Sequence, residues 1–178
     1  VNNLTQYQLQ WPNVKAVLIT HMHSDHMADL PDAHLQSWIQ GRTSPLKVYG
    51  PEGINLVTKG FELAYSADYQ YRNEHHGEEI LPMSVSGFNA VEIIDNELIP
   101  NDTPGLEILP FLVDHHPVNS SFGFKVSYKG RTVVISGDTI HDGSVQKYSQ
   151  DIDLLVHSAI SIDIAVSYTH LRAHETLG

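Results

Sequence analysis

Thr20-His21-Met22-His23-Ser24-Asp25-His26, directly after the apolar run Val17-Leu18-Ile19, constrains this chain more than any other stretch. Three histidines and one aspartate fall within six residues, at the end of a predicted buried strand. Side chains two apart in an extended segment point the same way, so His21 and His23 can converge on one point. The chain must then turn, which puts Asp25 and His26 where they can face a second point nearby. Imidazole nitrogens and carboxylate oxygens are the ligands that zinc and similar borderline metals accept, at about 2.0–2.2 Å.

Composition narrows what such a cluster can serve. The 178 residues suffice for one domain with a real core, and 41% hydrophobic with 17% charged suits a globular chain. No stretch approaches the roughly 18–20 consecutive apolar residues of a membrane span. Cysteine is absent, which removes disulfides and thiolate metal sites and fits oxidising and reducing compartments alike. Ten Lys and Arg against 21 Asp and Glu give a net charge of −11, which argues against a broad electrostatic footprint for nucleic acid or anionic membrane.

The chain opens on Val1-Asn2-Asn3 with no signal-peptide pattern, so any targeting segment is expected to lie outside it. At the other end, residues 166–178 resemble one reading frame of a sequencing adapter. The expected division is a domain over 1–165 and a non-native tail over 166–178, with no function assigned to His170 or His174.

In between, Lys15 to Thr20 reads as a central strand. Leu35, Trp38 and Ile39 mark a helix over about 28–40, with Pro31 in its first turn and Gly41 closing it. Pro45 to Tyr49 reads as a strand, and Ile54, Val57, Phe61, Ala64 and Tyr65 mark the core face of a second helix. From Gln70 to Gly105 the pattern weakens, with seven acids against the single base Arg72, and His75-His76-Gly77 reads as a solvated loop. Strands then follow over 106–113, 122–128, 131–136 and 152–156, with Lys129-Gly130 as a hairpin turn. Helices early and hairpin strands late predict an α/β layered fold with sheet inside.

Four predicted strands end on a metal-capable or proton-carrying residue: the His21 cluster, Asp114-His115-His116, Gly137-Asp138-Thr139 and His157. Ligands at the ends of rigid strands are held more firmly than ligands on loops. Gly-Asp-Thr alone is more often a turn; its weight comes from recurring in this order with the first cluster.

His21-Met22-His23-Ser24-Asp25-His26 resembles the His-x-His-x-Asp-His signature of the metallo-β-lactamase superfamily. His115 and Asp138 follow in the order of that superfamily's later ligand motifs. Met27-Ala28-Asp29-Leu30-Pro31, Val48-Tyr49-Gly50-Pro51, Pro117-Val118-Asn119-Ser120-Ser121-Phe122 and Val134-Ile135-Ser136-Gly137-Asp138-Thr139 are similar to the branch holding ribonuclease Z and arylsulfatase-type hydrolases. The resemblance covers nearly all of 14–160 and implies an αββα sandwich, incomplete at both ends.

It further implies two zinc ions. His21, His23 and His115 would hold the first, Asp25 and His26 the second, and Asp138 would bridge them. His157 matches a histidine of the family's His-Glu-Ala-Thr segment, but here the segment reads His157-Ser158-Ala159-Ile160, so the acidic neighbour is missing. His157 and Asp25 are the expected catalytic pair, with His157 as proton donor to the leaving group. His116 is left between a pocket role and simple exposure. The family closes its second site with a later histidine that this chain does not reach, so a deficient second site and poor activity are expected of the chain as given.

The implied reaction is attack by a metal-bridging hydroxide on a small sulfate or phosphate ester. The alternatives are ribonuclease Z-type cleavage of precursor tRNA 3′ ends, and a non-catalytic metal-binding domain. The acidic 70–105 segment does not look like a basic RNA-holding arm, which favours the small ester. The expected partner is that ester, with nucleic acid disfavoured, a homodimer left open and no membrane.

Overall fold

The structure, a computed structural model, describes residues 10–159 and Ser161. The adapter-like stretch 166–178 lies outside the described residues. Two sheets organise the rest. The first joins β1 (Ala16–Leu18), β2 (Leu46–Gly50) and β3 (Phe88–Glu92) in that order, all parallel. The second joins β4 (Glu107–His115), β5 (Val118–Tyr128), β6 (Arg131–Ile135) and β7 (Leu154–Val156), antiparallel until β7 returns parallel to β6. Parallel neighbours need crossovers, and helices supply them. Among these are α1 (Ser24–Met27), α2 (Leu30–Ile39), α3 (Ile54–Ala64), α4 (Ser66–His76) and α5 (Ser144–Tyr148).

Alternation along the strands sorts the apolar side chains into layers. Val17, Leu46 and Val48 face Leu30 of α2 and Ile54, Val57 and Phe61 of α3. The opposite faces of the same strands send Ala16, Leu18 and Tyr49 against Ile108, Phe122, Phe124 and Val126 of the second sheet. Phe111, Val113 and Val134 turn the other way and meet Val145 and Tyr148 of α5. The order is helix, sheet, sheet, helix: the αββα sandwich expected from the sequence.

One expectation fails. The stretch around His75-His76-Gly77 is not a solvated loop, because α4 runs from Ser66 to His76 and β3 follows at Phe88. The helix has little apolar periodicity to betray it. Tyr69 is its one buried residue, edge-on to Trp38 with ring centroids 5.6 Å apart. Its outer face is braced by i,i+4 pairs, Asp68 with Arg72 at 2.8 Å and Gln70 with Glu74 at 2.8 Å. The first strand is also shorter than predicted, ending at Leu18, and among the described residues it edges its sheet while β2 takes the centre.

Candidate metal centre

His21, His23 and His115 meet although β1 ends three residues before the first of them. His21 is fully buried. Its Nδ1 lies 3.1 Å from the Thr20 hydroxyl, which leaves Nε2 facing the other two rings. His23 closes the turn into α1 with extended backbone (φ −71°, ψ 144°). That conformation brings its Nδ1 to 2.9 Å from His21 Nε2 and 3.3 Å from His115 Nε2. His115 is the last residue of β4, so the trio spans both sheets.

A second group shares His21. His26, on α1, stacks at a tilt on the His21 ring with centroids 4.1 Å apart. Its Nε2 lies 3.3 Å from Asp138 Oδ2 and 3.5 Å from Asp25 Oδ2. Two sets of potential ligand atoms each fall within 4.8 Å of one another: His21, His23 and His115, then His21, His26 and Asp138. Asp25 belongs to neither set, and its side chain is 78% exposed.

The loop bearing Asp138 is fixed from two sides. Gly137 has φ +62°, and a Cβ there would come within 2.9 Å of the Phe122 carbonyl and 3.1 Å of Thr20 side-chain atoms. Only glycine allows that turn to settle against the residue preceding His21. Phe122 N–H in turn donates to the Thr20 carbonyl at 2.9 Å, tying the two sheets together at the site. On the other side Asp142 accepts from the Asp114 N–H at 2.9 Å and from Ser144 N–H and hydroxyl at 2.8 and 2.9 Å. The Asp114 carbonyl takes Ile140 N–H at 2.8 Å and the Thr139 hydroxyl at 3.1 Å. These bonds lock the Asp138 loop to the strand end that carries His115. Burial pushes the Asp142 carboxyl up, but the hydrogen bonds it accepts from Ser144 and the Asp114 N–H outweigh this and hold it below its ordinary pKa.

His157 follows β7, exposed, with Nδ1 2.7 Å from the Ser136 hydroxyl. His116 is exposed, its backbone N–H donating to Asp114 Oδ1 at 3.0 Å. His75 and His76 are exposed at the end of α4. A cavity of about 490 Å³ opens beside the site between His115, Asp138, Ile140 and the Ser158-Ala159 segment. Thr20, Ser136 and Asp142 had no role in the sequence reading. The Asp142-Gly143-Ser144 turn before α5 was the available signal for the last.

The His21 imidazole is pushed down to about 4, chiefly by burial and then by His26, His115 and His23. It therefore stays neutral, as a ligand must. Four-coordinate sites with bonds near 2.05 Å separate their ligand atoms by about 3.3–3.4 Å, near the 2.9 and 3.3 Å between His23 Nδ1 and the Nε2 atoms of His21 and His115. Three imidazole nitrogens, and beside them an imidazole and a carboxylate, fit a borderline divalent metal.

Comparison with known proteins shows the family. The sequence profile of the metallo-β-lactamase superfamily matches residues 4–160. Ribonuclease Z of Mycolicibacterium gilvum is 32% identical over 154 residues, covering 85% of this chain and 52% of that protein. Ribonuclease Z of Mycobacterium marinum is 31% identical over 165 residues, covering 91% and 57%. The chain thus spans little more than half the length of these relatives. The crystal structure of the short form of human tRNase Z superposes with a TM-score of 0.60 at 24% identity, over 94% of this chain and 66% of that one, which shows the shared fold. This chain belongs to the metallo-β-lactamase superfamily.

Proposed function

We propose that the chain is the metal-binding part of a zinc-dependent phosphodiester hydrolase that acts on RNA, cleaving precursor tRNA at its 3′ end as a ribonuclease Z does. The observation that carries the hydrolase reading is the meeting of His21, His23, His26, His115 and Asp138 where the ends of both sheets come together. The relatives' names favour RNA over the small ester that the charge balance suggested.

In this reading His21, His23 and His115 hold one ion, and His26, Asp138 and Asp25 the other. When bound, a pair of divalent ions supplies Lewis acidity, lowering the pKa of water and offsetting charge on the phosphoryl oxygens. The Thr20 hydroxyl keeps His21 Nε2 turned toward the site. Asp138, set against His26, places negative charge between the sites. His157, just past β7, is the proton donor that the leaving oxygen needs. A homodimer remains part of the proposal, readable from sedimentation of the purified chain.

The test is single-turnover cleavage of a precursor tRNA carrying a 3′ trailer, with enzyme in excess and zinc present. Release of the trailer that a chelator abolishes is the expected result. A second reading, a small sulfate or phosphate ester as substrate, draws on the net charge of −11 and the seven-to-one acid excess over 70–105. Turnover of an aryl sulfate or a bis-aryl phosphate without RNA cleavage would establish it. Tight metal binding with neither activity points to the non-catalytic domain.

A further inference from the structure

The Ser136 hydroxyl sits at the end of β6, in a fully buried residue whose backbone N–H donates to the Val156 carbonyl at 3.0 Å. Three groups surround its oxygen. The Gly137 carbonyl lies 2.6 Å away, the Ser158 N–H 3.3 Å and His157 Nδ1 2.7 Å. A hydroxyl has one hydrogen to give and two lone pairs to receive with. A carbonyl can only accept, so the hydrogen goes to Gly137. A backbone N–H can only donate, so one lone pair goes to Ser158. What remains for His157 is the second lone pair, and only an Nδ1 that carries hydrogen can use it.

We propose that Ser136 is a positioning residue that fixes His157 in the tautomer with hydrogen on Nδ1, making Nε2 the nitrogen that exchanges protons with a substrate. The first half stands on hydrogen-bond arithmetic alone; the second rests on the hydrolase reading. Burial of Ser136 matters, because water cannot step in to reverse the direction of these bonds. The residue beside His157 is Ser158, not an acid, so the orienting contact comes from the neighbouring strand end instead of the next residue along. A neutral ring held this way can take a proton only at Nε2, and a protonated ring can give one only there without breaking the Ser136 contact.

Long-range ¹H–¹⁵N correlation spectra of the ¹⁵N-labelled chain in alkaline buffer, where imidazoles are neutral, read the tautomer directly. The expected spectrum has His157 Nδ1 protonated and Nε2 bare. Ser136→Ala should shift it toward the Nε2-protonated form, and Ser136→Thr, which keeps the hydroxyl, should restore it. With bis(p-nitrophenyl) phosphate as substrate, Ser136→Ala should lower kcat by about 10- to 100-fold, the scale of losing a partner that fixes a histidine tautomer, with KM unchanged. An Nε2-protonated His157 in the unaltered chain overturns the proposal whether or not the alanine variant folds. So does an alanine variant whose His157 pattern is unmoved. An Nδ1-protonated spectrum in a chain with no turnover upholds the tautomer and counts against the hydrolase reading alone.

Discussion

His115 Nε2 lies 3.3 Å from His23 Nδ1 across a sequence separation of 92 residues. Nothing local holds these two rings together, since one ends a strand of the second sheet and the other begins a helix beyond the first. Their meeting is a product of the whole sandwich. His115→Ala should therefore weaken zinc binding by more than the roughly 10- to 100-fold typical of groups one step removed from a metal. Competition against a chromophoric chelator measures this. His75→Ala, at the exposed end of α4, should leave the affinity unchanged.

The buried His34 ring, packed against Tyr69 and Phe88 with centroids 4.8 and 4.7 Å away, makes the fold acid-sensitive. Burial, followed by the Arg42 guanidinium, pushes it from 6.5 down to about 4. Between those values the unfolded chain binds a proton that the folded chain refuses, so stability present at neutral pH is lost as pH falls from 6.5 toward 4. At about 1.4 kcal/mol per unit the full loss is on the order of 3 kcal/mol. Urea midpoints across this range should fall in the unaltered chain and fall less in His34→Phe, which keeps the aromatic packing.

Gly123 faces Phe111 directly across the β4–β5 ladder. A Cβ there would overlap the ring, at 2.7 and 3.0 Å from Cε2 and Cε1, and the ring is fully buried and stacked on Tyr148. Gly123→Ala should cost about 1–3 kcal/mol by overpacking. Adding Phe111→Leu should recover part of that, a coupling that chemical denaturation of the single and double variants would expose.

Asp142 accepts three hydrogen bonds, two from Ser144 within its own turn and one from the Asp114 N–H, which ties the Asp138 loop to the end of β4. Asp142→Ala should destabilise the fold by about 1–2 kcal/mol. Metal titration should show weakened binding of the second ion before the first, because the loop it loosens carries Asp138 and not the trio of histidines. Equal weakening of both ions would argue against the clamp.

Much of the candidate cluster's geometry was legible in the sequence. His21, His23, His26, His115 and Asp138 each follow an apolar β run, and strand ends are where a layered fold gathers side chains. His21 and His23 converge as an extended segment predicts, since the backbone is still extended at His23 although β1 ends at Leu18. The helix Ser66–His76 was missed because its stability lies in charge pairs and one buried tyrosine, which leave no apolar stripe in the sequence. Ser136 and Thr20 were invisible as partners for a simpler reason. A hydroxyl's neighbour depends on which strands lie side by side, and the parallel return of β7 beside β6 is not written in either strand.

The stitch between Thr20, Phe122 and Gly137 has a kinetic meaning. Because the ligand residues are shared between the two sheets, no half of the sandwich can bind an ion well on its own. An ion seated there would act as a rivet, and opening either sheet would first require letting it go. Zinc should accordingly slow proteolysis throughout the described chain at once, in α3 as much as in β5, although neither carries a candidate ligand.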